Sequence, residues 1–298
     1  MRRPRVRLMP PTVSSSSVQA ARERLGGQLR EMRADAGLSG VEFARRAGWA
    51  DSSLVSMIEK GRRTITVDHV RIWCRISGAN EQRLAELLAE QRAAANMWET
   101  HKEATRAGLK RVQESVREKY ERVRVHRVYQ TKVIPGLLQT EALTTAYLTQ
   151  ARMEQHVAVD DVAEAVAERM ARQHVLRRPG KRFLFVVEED VLWYRPFTPG
   201  THAEQLRHLL EVIRLPTVSF GVIPRNTDRR GVSPDESFTM SDTDVVSVEL
   251  VSGYLTITQP YEVGMYVEAW ERLSGLSVYG RPVRELIAVV LADLESRP

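Results

Sequence analysis

The side chains in this sequence best placed to do chemistry are basic ones. Arg45, Arg46, Lys60, Arg62 and Arg63 fall within one short stretch. Guanidinium and ammonium groups at that density suit phosphate oxygens, and each such contact releases a counterion from a polyanion. One or two of the five are expected to be ordinary solvated charge. The wider distribution points the same way. Residues 1–78 hold 15 Lys/Arg against 7 Asp/Glu, a charge of +8, whereas the rest holds 29 against 31, a charge of −2. An asymmetry of this kind implies a polyanionic partner for the N-terminal quarter alone.

Other chemistry is harder to find. None of the 7 histidines forms an H-E-x-x-H pair, and the single cysteine, Cys74, does not support them, so no metal site is expected. There is no G-x-S-x-G nucleophile elbow, no phosphate-cradling loop and no G-x-G-x-x-G. Glu188, Glu189 and Asp190 cluster after an apolar run. They could serve as acid and base, but carboxylates at a helix start are stabilised by the helix dipole, and structure is the preferred reading. The expectation is a chain that is not an enzyme and carries no cofactor. The scattered aromatics, Trp193 and Tyr194 among them, could line a small-molecule pocket, fill a core or anchor a protein partner.

The elements that must position the basic stretch are short helices. Leu25, Leu29, Met32 and Ala36 recur at helical spacing, and Gly37 closes that helix. Ser39 and Glu42 read as a capping box that starts a second helix, ended by Gly48. Asp51 caps a third, with Val55 and Ile58 inward, and Thr66 caps a fourth. Trp49 and Trp73 read as packing rather than as stacking platforms. Residues 1–20, rich in Arg, Pro and Ser, are expected to be a disordered tail or a basic arm. An Ala/Leu-rich helix over 80–95 and a long charged helix over about 99–118, with Leu109, Val112, Val116 and Tyr120 as its stripe, are read as a connector spanning 80–120. After it, strands are expected at 122–126, 183–187, 218–223, 238–240, 245–250 and 255–258. Helices are expected at 161–177, 202–215, 261–273 and 283–294.

The expected fold class is an all-α domain over 21–79, followed by a mixed α+β domain over 121–298. No apolar run approaches the ~20 residues of a membrane span. The basic start is followed by prolines and serines rather than an apolar block, which argues against a secretory signal. A lone cysteine suits a reducing cytoplasm.

The stretch LSGVEFARRAGW followed by SLVSMIEKGRR, with Glu59 and Gly61 in place, resembles the Xre/Cro-type helix-turn-helix family over about residues 22–78. In such a unit one helix braces a second that enters the major groove. Carried over by position, the resemblance implies that Ser52, Ser53 and Met57 face base edges. Leu54 beside them could touch a thymine methyl or pack between helices. Arg45, Lys60, Arg62 and Arg63 are then the expected phosphate ligands, and much of the affinity would come from them. The rest of the chain, through VIPGLLQT (133–140), RMARQHVLRRPGKRFLFVVEED (169–190), HLLEVIRLPTVSFGVIP (208–224) and VVSVELVSG (245–253), resembles the uncharacterised domain that follows this reader in many actinobacterial, antitoxin-like regulators. The resemblance implies a cytoplasmic, nucleoid-associated transcriptional regulator. It further implies binding of double-stranded DNA as a homodimer and control by a small protein encoded nearby. A ligand-responsive regulator, with a closed apolar cavity near Trp193 and Tyr194, is the alternative.

Overall fold

The computed structural model describes residues 16–95 and 97–296. The chain divides into two compact units, residues 1–98 and 99–298.

The first unit is all helix: α1 (Ser16–Asp35), α2 (Gly40–Ala47), α3 (Ser53–Glu59), α4 (Val67–Ser77) and α5 (Glu81–Ala95). Its core gathers Leu25 and Leu29 from α1, Phe43 from α2, Val55 and Ile58 from α3, Val70 and Trp73 from α4, and Leu87 from α5. Phe43 and Trp73 stack with ring centroids 4.4 Å apart, and Trp49 lies 5.5 Å from Trp73. Both tryptophans are therefore packing residues. Gly26 explains how closely α1 and α3 approach. A Cβ there would lie 2.6 Å from the Ile58 carbonyl oxygen and 2.7 Å from that of Glu59, closer than real Cβ atoms come.

Two expectations change in this unit. The arm expected over 1–20 lies outside the described residues up to residue 15, while residues 16–20 form the start of α1. The helix over 80–95 does not run as a connector, because Leu84, Leu87 and Leu88 pack into the first core.

The second unit contains β1 (Trp98–Thr100), α6 (His101–Ala104), α7 (Leu109–Arg122), β2 (Val125–Gln130), α8 (Glu141–Glu154), α9 (Val162–Ala171), β3 (Arg182–Glu188), α10 (Asp190–Trp193), α11 (Pro199–Val212), β4 (Val218–Ile223), β5 (Phe238–Ser241), β6 (Val245–Leu250), β7 (Gly253–Ile257), α12 (Pro260–Gly275), β8 (Val278–Tyr279) and α13 (Arg281–Ser296). Its strands form one sheet in the order β1-β7-β6-β5-β2-β3-β4-β8. The centre is parallel, β2 against β3 and β3 against β4, and reached by helical crossovers. β5, β6 and β7 form the antiparallel meander that the sequence suggests. Alternation along β3 sends Phe183, Phe185 and Val187 to a face covered by α8, α11 and α13, and Val186 to a face covered by α12. The chain is thus an all-α unit followed by a mixed α+β unit, the fold class the sequence implies.

The long helix expected over 99–118 is broken. Gly108, with φ +95°, separates α6 from α7. The Asp161 carboxylate caps α7 by accepting from the backbone N–H groups of Leu109 (3.0 Å) and Lys110 (2.9 Å). Leu109 packs with Ala165 and Val166 of α9, and Tyr120 joins the main core. The strand expected at 122–126 begins later, at Val125, and β8 has no counterpart in the sequence reading.

Candidate nucleic-acid interface

α2 and the turn that follows α3 carry the basic stretch. Ser39 caps α2 by accepting from the Glu42 backbone N–H at 3.1 Å. The reciprocal half of the expected capping box is absent, because the Glu42 carboxylate is engaged elsewhere. Arg45 donates to it from Nε (3.0 Å) and Nη2 (2.7 Å), and Arg46 from Nε (3.0 Å). Those hydrogen bonds, Arg45 first, hold the Glu42 carboxyl down at about 2. Gly48, with φ +73°, closes α2 in the left-handed region.

α3 begins at Ser53. Ser52 occupies the cap position without a side-chain bond, and Asp51 reaches over it to accept from the Ser53 N–H at 2.7 Å. Hydrogen bonding from Ser53, its hydroxyl first and its backbone N–H second, lowers the Asp51 pKa, and the carboxylate complements the helix N-terminus. Val55 and Ile58 turn inward and are fully buried. Ser53 and Lys60 are exposed, Ser52, Ser56 and Met57 are half-buried, and Arg62 and Arg63 are exposed in the following turn. Leu54 is half-buried and packs against the bundle core, the inter-helix alternative left open for it.

The angle of α3 is fixed by a pair the sequence reading missed. Arg33 of α1 clasps Glu59 through Nε–Oε1 (2.6 Å) and Nη2–Oε2 (2.9 Å), and its Nη1 donates to the Leu38 carbonyl (2.7 Å). The two side chains are only 14% and 8% exposed. A two-pronged arginine–carboxylate bond sets orientation as well as distance. The Glu59 bond, the largest cause, raises the Arg33 pKa. Nothing local signals this pair, since its members lie 26 residues apart. A second missed contact is the His69 ring, which completes a capping box with Thr66 at the start of α4.

In the second unit the acidic cluster is fully engaged. Glu188 accepts from the Tyr129 hydroxyl (2.6 Å) and from Arg229 (3.0 Å). Glu189 accepts from Trp193 Nε1 (3.0 Å) and from the Arg225 N–H (2.9 Å), and Asp190 pairs with Arg225 (2.5 Å). Beside it lies an open cleft of about 810 Å³, lined by Tyr147, Trp193, Tyr194 and Pro196 together with the polar Lys132, Gln155 and Glu249. It is neither closed nor wholly apolar. Among the described residues no three His, Cys, Asp or Glu side chains gather as a metal site requires. No described helix is long and apolar enough to cross a membrane.

Residues 24–87 match a helix-turn-helix domain, a class that places a helix in the DNA major groove. Residues 115–288 match a domain of unknown function, DUF5753. The chain belongs to the DUF5753 family. Inside the matched region, Gln139 accepts from Arg169, Gln173 donates to the Gln139 carbonyl, and Gln205 bonds the backbone of both Leu138 and Thr140. Among solved structures, the chain is similar to an archaeal chromatin protein, TrmBL2, whose structure is described as showing a novel mode of DNA binding. That likeness has a TM-score of 0.32 and 9% identity, and covers 72% of this chain and 69% of that one. No curated protein matches the sequence.

Proposed function

We propose that this protein is a sequence-specific DNA-binding transcriptional regulator of the Xre/Cro type. It acts as a homodimer, and its DUF5753 domain takes a small protein partner in an antitoxin-like arrangement. The observation that carries the reading is α3 itself. One face is locked into the bundle by Val55, Ile58 and the Arg33–Glu59 pair, Ser53 is exposed at its start, and Lys60, Arg62 and Arg63 are exposed just past its end. A groove-reading helix needs both rigidity from behind and a polar, basic front. Ser52, Ser53 and Met57 are the base-facing residues in this reading, and Lys60, Arg62 and Arg63 grip phosphates. Arg45 contributes with its charge shared by Glu42. Leu54 is a packing residue first.

The apolar stripe of α7 is engaged inside the second unit, through Leu109 and Tyr120. Those two residues are therefore not offered to a second copy. Occupancy of DNA would be controlled by a partner that changes dimer geometry or reader affinity. The experiment is selection of bound DNA by the full chain, with capture of the product of the neighbouring small reading frame. A recovered consensus and a stoichiometric partner support both halves. No enrichment over random DNA removes the regulator.

A second reading keeps the reader and places a small molecule in the 810 Å³ cleft beside Trp193 and Tyr194. Its size falls in the range of ligand pockets. Small-molecule binding that shifts DNA affinity, lost on Trp193→Ala, would favour it over the protein partner.

A further inference from the structure

The part of the sheet made by β2, β5 and β6 turns a polar surface towards α7 and the end of α9. His126 on β2 and Ser241 on β5 are directly opposed across the strand pair, and Ser247 lies one strand further on. Above them stand three cations. Lys119 donates to the Ser247 hydroxyl (2.9 Å). Arg169 and Arg172 both donate to one acceptor, the buried Gln113 side-chain oxygen, at 3.1 and 2.9 Å, and Arg169 also reaches Gln139 (3.0 Å). Arg172 lies 5.5 Å from the centre of the Tyr120 ring, which is 4.9 Å from the His126 ring. The group is continuous.

What this network lacks is negative charge. Every hydrogen-bond acceptor of Lys119, Arg169 and Arg172 among the described residues is a neutral hydroxyl or amide. The nearby Glu168 pairs with Arg117, and Glu249, which is exposed, acts on Arg169 only at a distance. Arg172 is 4% exposed and His126 1%. Buried charge without a counter-charge is costly, and buried polar atoms are nearly always bonded. Yet Arg172 Nε, both His126 ring nitrogens and Ser241 Oγ have no hydrogen-bond partner among the described residues. The Met240 backbone favours a charged His126 ring from nearby without completing a bond. Donors in surplus, cations unneutralised and four unbonded buried atoms share one place.

We propose that Lys119, Arg172, His126 and Ser241, backed by Arg169, form a binding site for a compact, doubly charged oxyanion of the phosphate type within the DUF5753 domain. Arginine and lysine supply charge, the His126 ring and the Ser241 hydroxyl supply further donors, and the shared Gln113 oxygen holds the two guanidiniums side by side. The site is independent of DNA reading.

Thermal unfolding of the full chain in inorganic phosphate, against chloride at matched ionic strength and pH, tests this. Specific binding to the folded state raises the Tm saturably, by about 2–4 °C for a domain of this size. The rise is retained by the R62A/R63A double variant and abolished by Lys119→Gln and by Arg172→Gln. Should Arg172→Gln fail to fold, Lys119→Gln and the imidazole nitrogen shifts of His126 on phosphate addition carry the test. Displacement of phosphate by phenyl phosphate assigns the site to the terminal group of a larger metabolite, whereas its exclusion assigns it to the free ion. Both are forms of the proposed site. No rise, an unchanged rise in Lys119→Gln, a rise lost in R62A/R63A, or an unmoved His126 ring overturns it.

Discussion

Arg45 and Arg62 are both exposed arginines of the candidate interface, yet they are not equivalent ligands. Arg45 is held by Glu42, whereas Arg62 and Arg63 make no ion pair among the described residues. A cation shared with a carboxylate offers less to a phosphate. Replacing Arg62 and Arg63 by Ala should weaken binding to all sequences and lower the slope of log affinity against log salt by about 0.9 per contact. Arg45→Ala should lower it by less. Fluorescence anisotropy across a salt series checks both, and equal slopes for all variants would remove these residues from the interface. Met57→Ala should alter the selected site while sparing nonspecific affinity. His126 carries a different expectation. Burial, then the charge of Lys119, pushes its pKa down to about 3. The unfolded chain therefore binds a proton that the folded one refuses, at pH between the ordinary value of about 6.5 and 3. Its contribution to stability is complete above pH 6.5 and fades as pH falls through that window, by up to about 1.4 kcal/mol per pH unit. Urea unfolding of His126→Phe should show a shallower acid loss than the parent; identical profiles would refute the assignment.

Helix α3 is seven residues long and has no side-chain cap of its own at Ser52, so its placement comes from neighbours. Propensity alone does not stabilise a helix of two turns. Glu59→Ala would strand the Arg33 guanidinium in a mostly buried setting and should cost about 2–4 kcal/mol. Because the lost contact sets the angle of α3, DNA affinity should drop even at temperatures where the variant remains folded. Circular dichroism during urea titration, paired with anisotropy, separates the two effects, and loss of neither would assign the pair no positioning role. This pair also marks the limit of what sequence reading reaches. The five bundle helices, Gly48, Thr66 and the inward Val55 and Ile58 were legible because caps and periodicity are local signals. The parallel centre of the sheet was legible only as apolar runs at 183–187 and 218–223. The break at Gly108 was not, because its cause is the carboxylate of Asp161 far along the chain. Glu42 was misread for a related reason. The capping-box pattern was present, but Arg45 and Arg46 on the same helix compete for the carboxylate and win.

The two units have separate cores, and the positive charge of +8 lies wholly in residues 1–78 while the remainder is near neutral. On the proposed reading, a single reader of this size turns two serines and a methionine towards the bases, with no Arg, Asn or Gln to pair with them, and has little direct readout to draw on. In the proposed homodimer, specificity comes from repetition. Two copies related by a two-fold axis double the base contacts and fix their spacing at about one helical turn, roughly 34 Å. The DNA selected by the full chain should therefore contain inverted half-sites about 10 base pairs apart, centre to centre. Inserting five base pairs between them rotates one half-site to the opposite face of the duplex. Affinity should fall towards that of a single half-site and recover in part when ten are inserted. Sedimentation of the protein–DNA complex counts the copies. One chain bound to one half-site, indifferent to spacing, would mean that a monomer reads DNA and that α3 alone holds all the specificity this protein has.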